Sequence, residues 1–329
     1  MAMHTMKRRR LTVVVPCHNE AASIDALAAR LQAMAQGLDR WSTEVLLVDD
    51  GSTDTTIDRI EELRASGVPL GVLRLSRNFG HAAAIEAGLQ VATDDAVITM
   101  DGDLQHPPER IPSMLESFEK GADIVQMVRR AKVAGGKGWF STLFYRVFAT
   151  LSKTPIVPNA ADFRLLGRRV VEAINRIPER RKFLRGLISS LGFKQVSLTY
   201  DEGKRFGGSP SYGFTASLRL ATKALFDFST IPLTLVFWMG LSLSVLSFLA
   251  GVASIIYKLI AWHKVVPGYT DIIVSVLFLG GCILASVGIL GRYLIMILEQ
   301  VRGRPSHIVM DHSPGDALGP TLRLRKLAA

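Results

Sequence analysis

The first 130 residues alternate short apolar runs with stretches of helical spacing. Leu11–Val15, Val45–Val48, Val72–Leu75 and Val97–Met100 are short and mostly apolar, the first, second and fourth rich in β-branched residues. This is the pattern of strands buried on both faces. Between the first two, Ile24, Leu27, Leu31 and Met34 fall on one face of a predicted helix over residues 23–35. Asp54 stands where it would cap the helix after the second strand. A helix beginning near Pro108 leads to a fifth strand at Ile124–Val128. Strands alternating with helices predict an α/β fold with a doubly wound, mostly parallel sheet. Its ligand crevice would lie at the carboxyl ends of the strands.

From Gly135 the alternation weakens. Trp139–Leu151 mixes aromatics with Arg146, and reads either as a helix on a membrane surface or as an ordinary amphipathic core helix. Farther on, about 30 uncharged residues separate Asp227 from Lys258, and about 20 separate Asp271 from Arg292. Each run meets the roughly 20 residues needed to cross a hydrocarbon core. Arg219 and Lys223 precede the first run, and Arg292, Arg302 and Arg304 close or follow the second. The link between them, with Lys264, carries few charges. The basic bias therefore predicts a two-helix transmembrane hairpin with both flanks cytoplasmic. The expected organisation is a cytoplasmic domain over 1–210, an amphipathic juxtamembrane helix over 211–229, two transmembrane helices within 230–300 and a cytoplasmic tail over 301–329. Lys7-Arg8-Arg9-Arg10 is followed by a short apolar run that ends at Pro16, which does not read as a signal peptide.

The mean hydropathy of +0.26 fits the two spans. The net charge is +10, with basic residues gathered near the spans, so the expected polyanionic partner is an anionic bilayer and not nucleic acid. Cys17 and Cys282 have neither metal-ligand nor disulfide spacing and read as packing residues in a reducing compartment.

Three acidic turns follow the predicted strands: Pro16-Cys17-His18-Asn19-Glu20, Asp49-Asp50-Gly51-Ser52-Thr53-Asp54 and Asp101-Gly102-Asp103. Each alone is an ordinary turn. At successive strand ends of one sheet they converge on one crevice. Only Gly102 separates the last two carboxylates, so both can aim at one point. Hard oxygen ligands of this kind suit Mg²⁺ or Mn²⁺ holding substrate phosphates. A glycine-rich phosphate fingerprint does not follow the first strand, which argues against a dehydrogenase or P-loop protein. Arg129 and Arg130, at the end of the fifth strand, either offer planar forks to phosphate oxygens or form a solvated basic edge.

The stretches VVVPCHNE, VDDGSTDTT, LSRNFGHAAAIEAGL, MDGDLQHPPE, ADFRLLGRRVV and PERRKFLRGL cover most of residues 11–190. They resemble the family 2 glycosyltransferases of the polyprenyl-phosphate type, which include dolichyl-phosphate mannose synthases and bactoprenol glucosyltransferases. The resemblance implies a GT-A-like nucleotide-sugar fold. It also implies inverting transfer of one hexose from a nucleotide diphosphate sugar, UDP-glucose foremost, to polyprenyl (undecaprenyl) phosphate, by a homo-oligomer such as a tetramer. Asp101 and Asp103 match the family's metal pair, with Gln105 beside them and Gly102 between. Pro16, Glu20 and Asp50 match positions around the base and ribose, and Asp49 either joins them or closes its turn. Arg77 to Gly80 and His81 resemble an Arg-Asn-Phe-Gly-Lys segment, with His81 in place of Lys. Asp162 and Arg164 match an Asp-Phe-Arg motif opposite the metal, with Asp162 either a base or an orienting group. Arg181, Lys182, Arg185 and Arg205 would hold the acceptor phosphate.

The chain departs from the family at several points. His18 replaces Tyr or Phe. Glu202 and Pro210-Ser211-Tyr212 replace Arg and Ser-Lys-Tyr. Arg304-Pro305-Ser306-His307 replaces Arg-Pro-x-Tyr. Two other classes stay open at this level. One is a processive polysaccharide synthase, which wants a Gln-x-x-Arg-Trp motif and more spans. The other is a non-catalytic sugar-binding or scaffold subunit.

Overall fold

A computed structural model of the chain describes residues 8–130, 160–179, 182, 184–201, 231–260 and 269–314. The expected helices over 139–151 and 211–229, together with Arg181, Arg205 and the link at Lys264, lie outside the described residues.

The chain divides into two compact units, of which the first holds residues 1–149, 153–209 and 305–329. Its elements run β1 (Arg9–Cys17), α1 (Ala21–Gln36), β2 (Trp41–Asp49), α2 (Thr56–Ala65), β3 (Leu70–Leu75), α3 (His81–Val91) and β4 (Ala96–Thr99). A 3₁₀ turn at Pro108–Arg110 opens α4 (Ile111–Glu119). Then come β5 (Ile124–Arg129), β6 (Ala160–Gly167), α5 (Arg168–Arg176), α6 (Leu184–Ser190), β7 (Gln195–Tyr200) and, after the second unit, β8 (Val309–Ser313). The eight strands form one sheet in the order β7-β5-β6-β4-β1-β2-β3-β8. Pairs β1–β2, β1–β4, β2–β3 and β5–β7 are parallel, so the mostly parallel α/β expectation holds.

The apolar runs are buried on both faces because helices cover both. Val13, Val15, Leu47 and Ile98 pack with Ile24 and Leu27 of α1, Ile60 of α2 and Met114 of α4. Val14, Leu46, Val48 and Val97 point the other way, toward Ile85 and Leu89 of α3 and Val170 and Ile174 of α5. Successive strand residues thus feed opposite cores, as a period of two requires.

Two strands run against the rest. β6 enters antiparallel between β4 and β5, with Thr99 opposite Arg164 and Gln126 opposite Arg164. Its amino-terminal end therefore lies at the carboxyl edge of β4. β8 pairs antiparallel with β3 at the sheet edge, and the Ser76 N–H donates to the Ile308 carbonyl at 2.9 Å. Residues 305–313 thereby join the first unit. Local periodicity gives no sign of β8, since five residues on an edge carry no diagnostic alternation. His307, just before it, is buried, as are Lys182 and Glu86, which pair at 3.1 Å.

The second unit holds α7 (Ile231–Ile260) and α8 (Tyr269–Val301). Large apolar side chains stand exposed along both, among them Leu246, Leu284 and Ile297. Among the described residues one segment, Phe278–Leu298, is long and apolar enough to cross a membrane, with none of it buried. It overlaps the second expected span, between Asp271 and Arg292, and runs past Arg292. The first expected span falls on the 30-residue helix α7.

The seating of α3 on the sheet fixes the position of His81, the first residue of that helix. Gly88 lets α3 lie close: a Cβ there would fall 2.3 Å from Val14 Cγ1 and 3.2 Å from Val48 Cγ2. Overpacking of this kind costs about 1–3 kcal/mol. Gly88→Val is accordingly expected to lower the unfolding free energy by that amount, read as a shift in urea midpoint at unchanged slope.

Candidate active site

The Asp-Gly-Asp turn is locked to the end of β1. The Met100 N–H donates to the Val14 carbonyl at 3.1 Å, and the Met100 side chain is buried. A Cβ on Gly102 would sit 3.4 Å from the Pro16 carbonyl oxygen, in van der Waals contact with the end of β1. Leu104 adopts φ 63°, a costly conformation for a leucine, and its buried side chain anchors it. The Gln105 N–H donates to Asp103 Oδ1 at 3.1 Å. The Asp101 N–H donates to His106 Nδ1 at 2.9 Å. His106 is wholly buried, stacked on Phe163 of β6 with centroids 5.2 Å apart and edge-on to Tyr200 of β7. The Tyr200 hydroxyl accepts a hydrogen bond from Arg129 Nε at 3.3 Å.

A second carboxylate faces this turn. Because β6 runs antiparallel, Asp162 arrives at the carboxyl edge of β4, where its carbonyl accepts from Thr99 Oγ1 at 2.8 Å. Arg185 of α6 grips the Asp162 carboxylate in a fork, Nε to Oδ1 at 3.1 Å and Nη2 to Oδ2 at 2.6 Å. Buried Arg164 donates to Oδ1 from below. His81 Nε2 stands between the two acids, 3.2 Å from Asp101 Oδ1 and 3.8 Å from Asp162 Oδ2.

The charges are mutually dependent. Burial works to raise the Asp162 carboxyl, but the Arg185 hydrogen bond and the charges of Arg164, Arg185 and His81 outweigh it and bring the pKa to about 2. Burial likewise opposes ionisation of Asp101, and the two histidines win by a smaller margin, leaving its pKa lowered. Contact with Asp101 raises the His81 pKa against burial. Burial lowers that of His106 despite Asp101 and Asp103.

The first two acidic turns lie side by side. Asn19, at φ 56°, accepts from the Thr53 N–H through Oδ1 at 2.9 Å, tying the β1 turn to the β2 turn. Glu20 precedes α1 and accepts from Ser23 Oγ at 2.9 Å. Asp49 closes its own turn by accepting from the Ser52 N–H at 3.1 Å. Buried Asp50 accepts from the Phe79 and Gly80 N–H groups at 2.7 and 2.8 Å, which fixes the loop that launches His81. Arg77 stacks on Phe79, its guanidinium carbon 4.2 Å from the ring centroid. Arg130 extends outward to Asp201 at 3.1 Å. Lys182, expected among the acceptor ligands, points inward and spends its charge on Glu86. The structure thus gathers Asp101, Asp162, Arg164, Arg185 and His81 directly and links Arg129 through Tyr200.

A family model described as glycosyl transferase family 2 matches residues 12–174. An uncharacterized glycosyltransferase of Synechocystis is 36% identical over 92% of this chain and 95% of its own length. A prophage-derived bactoprenol glucosyl transferase of Shigella flexneri is 35% identical over 93% of this chain and 99% of its own. The chain belongs to glycosyltransferase family 2. An Escherichia coli prophage bactoprenol glucosyl transferase homolog is 34% identical over 91% of this chain and 98% of its own. Among solved structures, a Pyrobaculum calidifontis mannosyltransferase in complex with GDP-Man and Mn²⁺ aligns at 19% identity and TM-score 0.47, covering 66% of this chain and 61% of that one. That likeness is too distant to carry an argument about donor or metal.

Two residues of this glycosyltransferase's site were not singled out by sequence patterning. His106 lies inside the Asp-Gly-Asp stretch, and its spacing of five from Asp101 was the available signal. Tyr200 carried none, because β7 is brought beside β5 only by the sheet.

The Asp162 cluster makes stability depend on pH with a definite sign. Its carboxyl falls from an ordinary 3.8 to about 2 on folding, so its contribution is complete above the higher value and lost as pH falls through the lower. The contribution is about 2 kcal/mol at pH 7 and roughly half that at pH 3. In urea unfolding, the stability gap between wild type and Asp162→Asn is expected to narrow by about 1 kcal/mol between those pH values.

Proposed function

We propose that this glycosyltransferase moves one hexose, glucose from UDP-glucose as the first candidate, onto a polyprenyl phosphate such as undecaprenyl phosphate, inverting the anomeric carbon. The observation that carries this reading is the facing pair of carboxylate centres. Asp101, on the Asp-Gly-Asp turn, looks across His81 at Asp162, which holds a half-exposed arginine, Arg185. The first suits a donor diphosphate and the second an acceptor phosphate. Near-complete coverage of relatives named bactoprenol glucosyl transferase supports the lipid acceptor.

The residues fit a divalent cation. Asp101 Oδ1 is buried and has no hydrogen-bond partner among the described residues, with His81 near it but outside hydrogen-bond geometry. Such an acceptor calls for a cation. Asp101, Asp103 and Gln105 would hold Mg²⁺ or Mn²⁺, which when bound neutralises charge on the donor diphosphate. Pro16, Glu20, Asp49, Asp50, Arg77 and Gly80 lie at or support the nucleotide side, and Arg129 and Arg130 add positive charge where the nucleotide departs.

Asp162 serves as an orienting group. A carboxylate with a pKa of about 2, clamped by two arginines, has little affinity for a proton at neutral pH. The acceptor does not need a strong base, because a phosphate monoester with a second pKa of roughly 6 is already largely a dianion. Arg185, with Arg181 and Arg205, would present that dianion to the sugar. A two-helix hairpin within 230–300, including Phe278–Leu298, keeps the enzyme on the membrane that holds its acceptor.

Purified protein in detergent, given undecaprenyl phosphate and radiolabelled UDP-glucose, is expected to yield a lipid-linked monosaccharide only with divalent metal. Asp103→Ala should cut turnover by at least about 10²-fold with an unchanged melting temperature. Full activity of that variant overturns the site. A polymer in place of a single transferred hexose favours a processive synthase, and a screen of other nucleotide sugars tests the choice of donor.

A further inference from the structure

His106 carries a chemical role that the metal pair alone does not account for. Its Nδ1 accepts the Asp101 N–H at 2.9 Å, so that nitrogen holds no proton. The neutral ring must then carry its hydrogen on Nε2. Nε2 is buried and has no hydrogen-bond partner among the described residues; it lies 3.5 Å from Asp101 Oδ2. A buried N–H left unpaired is costly, because the group has lost its water and gained no partner. Phe163, stacked on one face, and Tyr200, edge-on, fix the plane of the ring, and the bond from the Asp101 N–H fixes which edge faces the turn. A second orphan belongs to Asp101, the buried Oδ1 on the side of its carboxylate that faces His81.

From this geometry we infer that His106 is a positioning residue for Asp101: it holds the backbone through Nδ1 and offers Nε2–H to Oδ2, which leaves Oδ1, on the His81 side, as the oxygen for a divalent cation. One imidazole thereby meets a single aspartate at two points, a main-chain hydrogen bond at 2.9 Å and a carboxylate approach at 3.5 Å. The aromatic packing gives the grip its rigidity, and Tyr200 extends it to Arg129 on the phosphate side. Partners of this kind behind a metal-binding carboxylate fix its rotamer and typically change metal affinity 10–100-fold when removed. The inference rests on the proposed role of Asp101 as a metal ligand.

The test is Mn²⁺ binding by the full-length protein in detergent, with free Mn²⁺ read from its EPR signal and UDP present throughout. His106→Phe keeps the stacked ring and deletes both polar contacts; it is expected to bind Mn²⁺ 10–100-fold more weakly. His106→Asn keeps an acceptor for the Asp101 N–H near the Nδ1 position, and its shorter amide places no donor at the Nε2 position. It should melt like wild type yet still bind Mn²⁺ more weakly, which decides the matter if the Phe variant fails to fold. In turnover assays the Asn variant should raise the KM for Mn²⁺ at least about fivefold, with kcat at saturating Mn²⁺ changed by less than about threefold. A purely structural role would lower kcat through the active fraction and leave the KM for Mn²⁺ alone. Wild-type Mn²⁺ affinity in the folded Asn variant overturns the inference while the metal reading stands. If wild-type protein binds no Mn²⁺, both fall together.

Discussion

Asp101 and Asp162 are two largely buried carboxylates facing a single imidazole, and neither would stay ionised there without cations close by. Taking such groups out of water is expensive unless opposite charge and hydrogen bonds replace the lost solvation. The compensation comes from three separate elements: His81 from the start of α3, Arg164 from β6 and Arg185 from α6. Each of those elements must therefore be seated correctly for the site to exist. Gly88 under α3, the antiparallel entry of β6 and the Asp50 grip on the loop before His81 can all be read as answers to that demand.

The same charges divide the labour between the two acids. Asp162 is saturated by arginine, which makes it a fixed anion that aims guanidinium groups. Asp101 is compensated by histidine alone, and its buried Oδ1 lies 3.2 Å from His81 without a hydrogen bond, which makes it a seat for a cation. His81, where the resembling family carries lysine, sits between them with a charge that depends on pH. The two acids are related by sheet topology and lie sixty-one positions apart in the chain.

Much of the fold was legible in advance because it rests on short-range pattern. The strands β1 to β5 and helix α1 follow from apolar runs and helical spacing, and the observed boundaries differ from those expected by a few residues at strand ends. What the pattern did not reveal was β6 and β8 running backwards. Register and direction of pairing are non-local, and short strands carry no local mark of their partner. In the candidate site, Asp101, Asp103 and Arg129 were visible as charged residues at strand ends. Lys182 looked like a phosphate ligand because it stands among Arg181 and Arg185, but burial beside Glu86 is a matter of packing. Asp50, expected near the nucleotide, and Asp49, expected there or closing its turn, have carboxylates that hold backbone N–H groups, which only the folded loops disclose.

By itself, then, the sequence determined an α/β catalytic unit, long uncharged runs between Asp227 and Lys258 and between Asp271 and Arg292, acidic turns at successive strand ends and family motifs specific enough to name the chemistry. These are properties of composition and spacing, which each short segment carries alone. Only the tertiary structure decided that Asp162 faces Asp101 across His81, that two arginines hold Asp162 ionised and that His106 lies behind Asp101 with one N–H unpaired. Those facts depend on distances between segments remote in the chain, and electrostatic energy in a buried site is set by distance and desolvation, not by residue type.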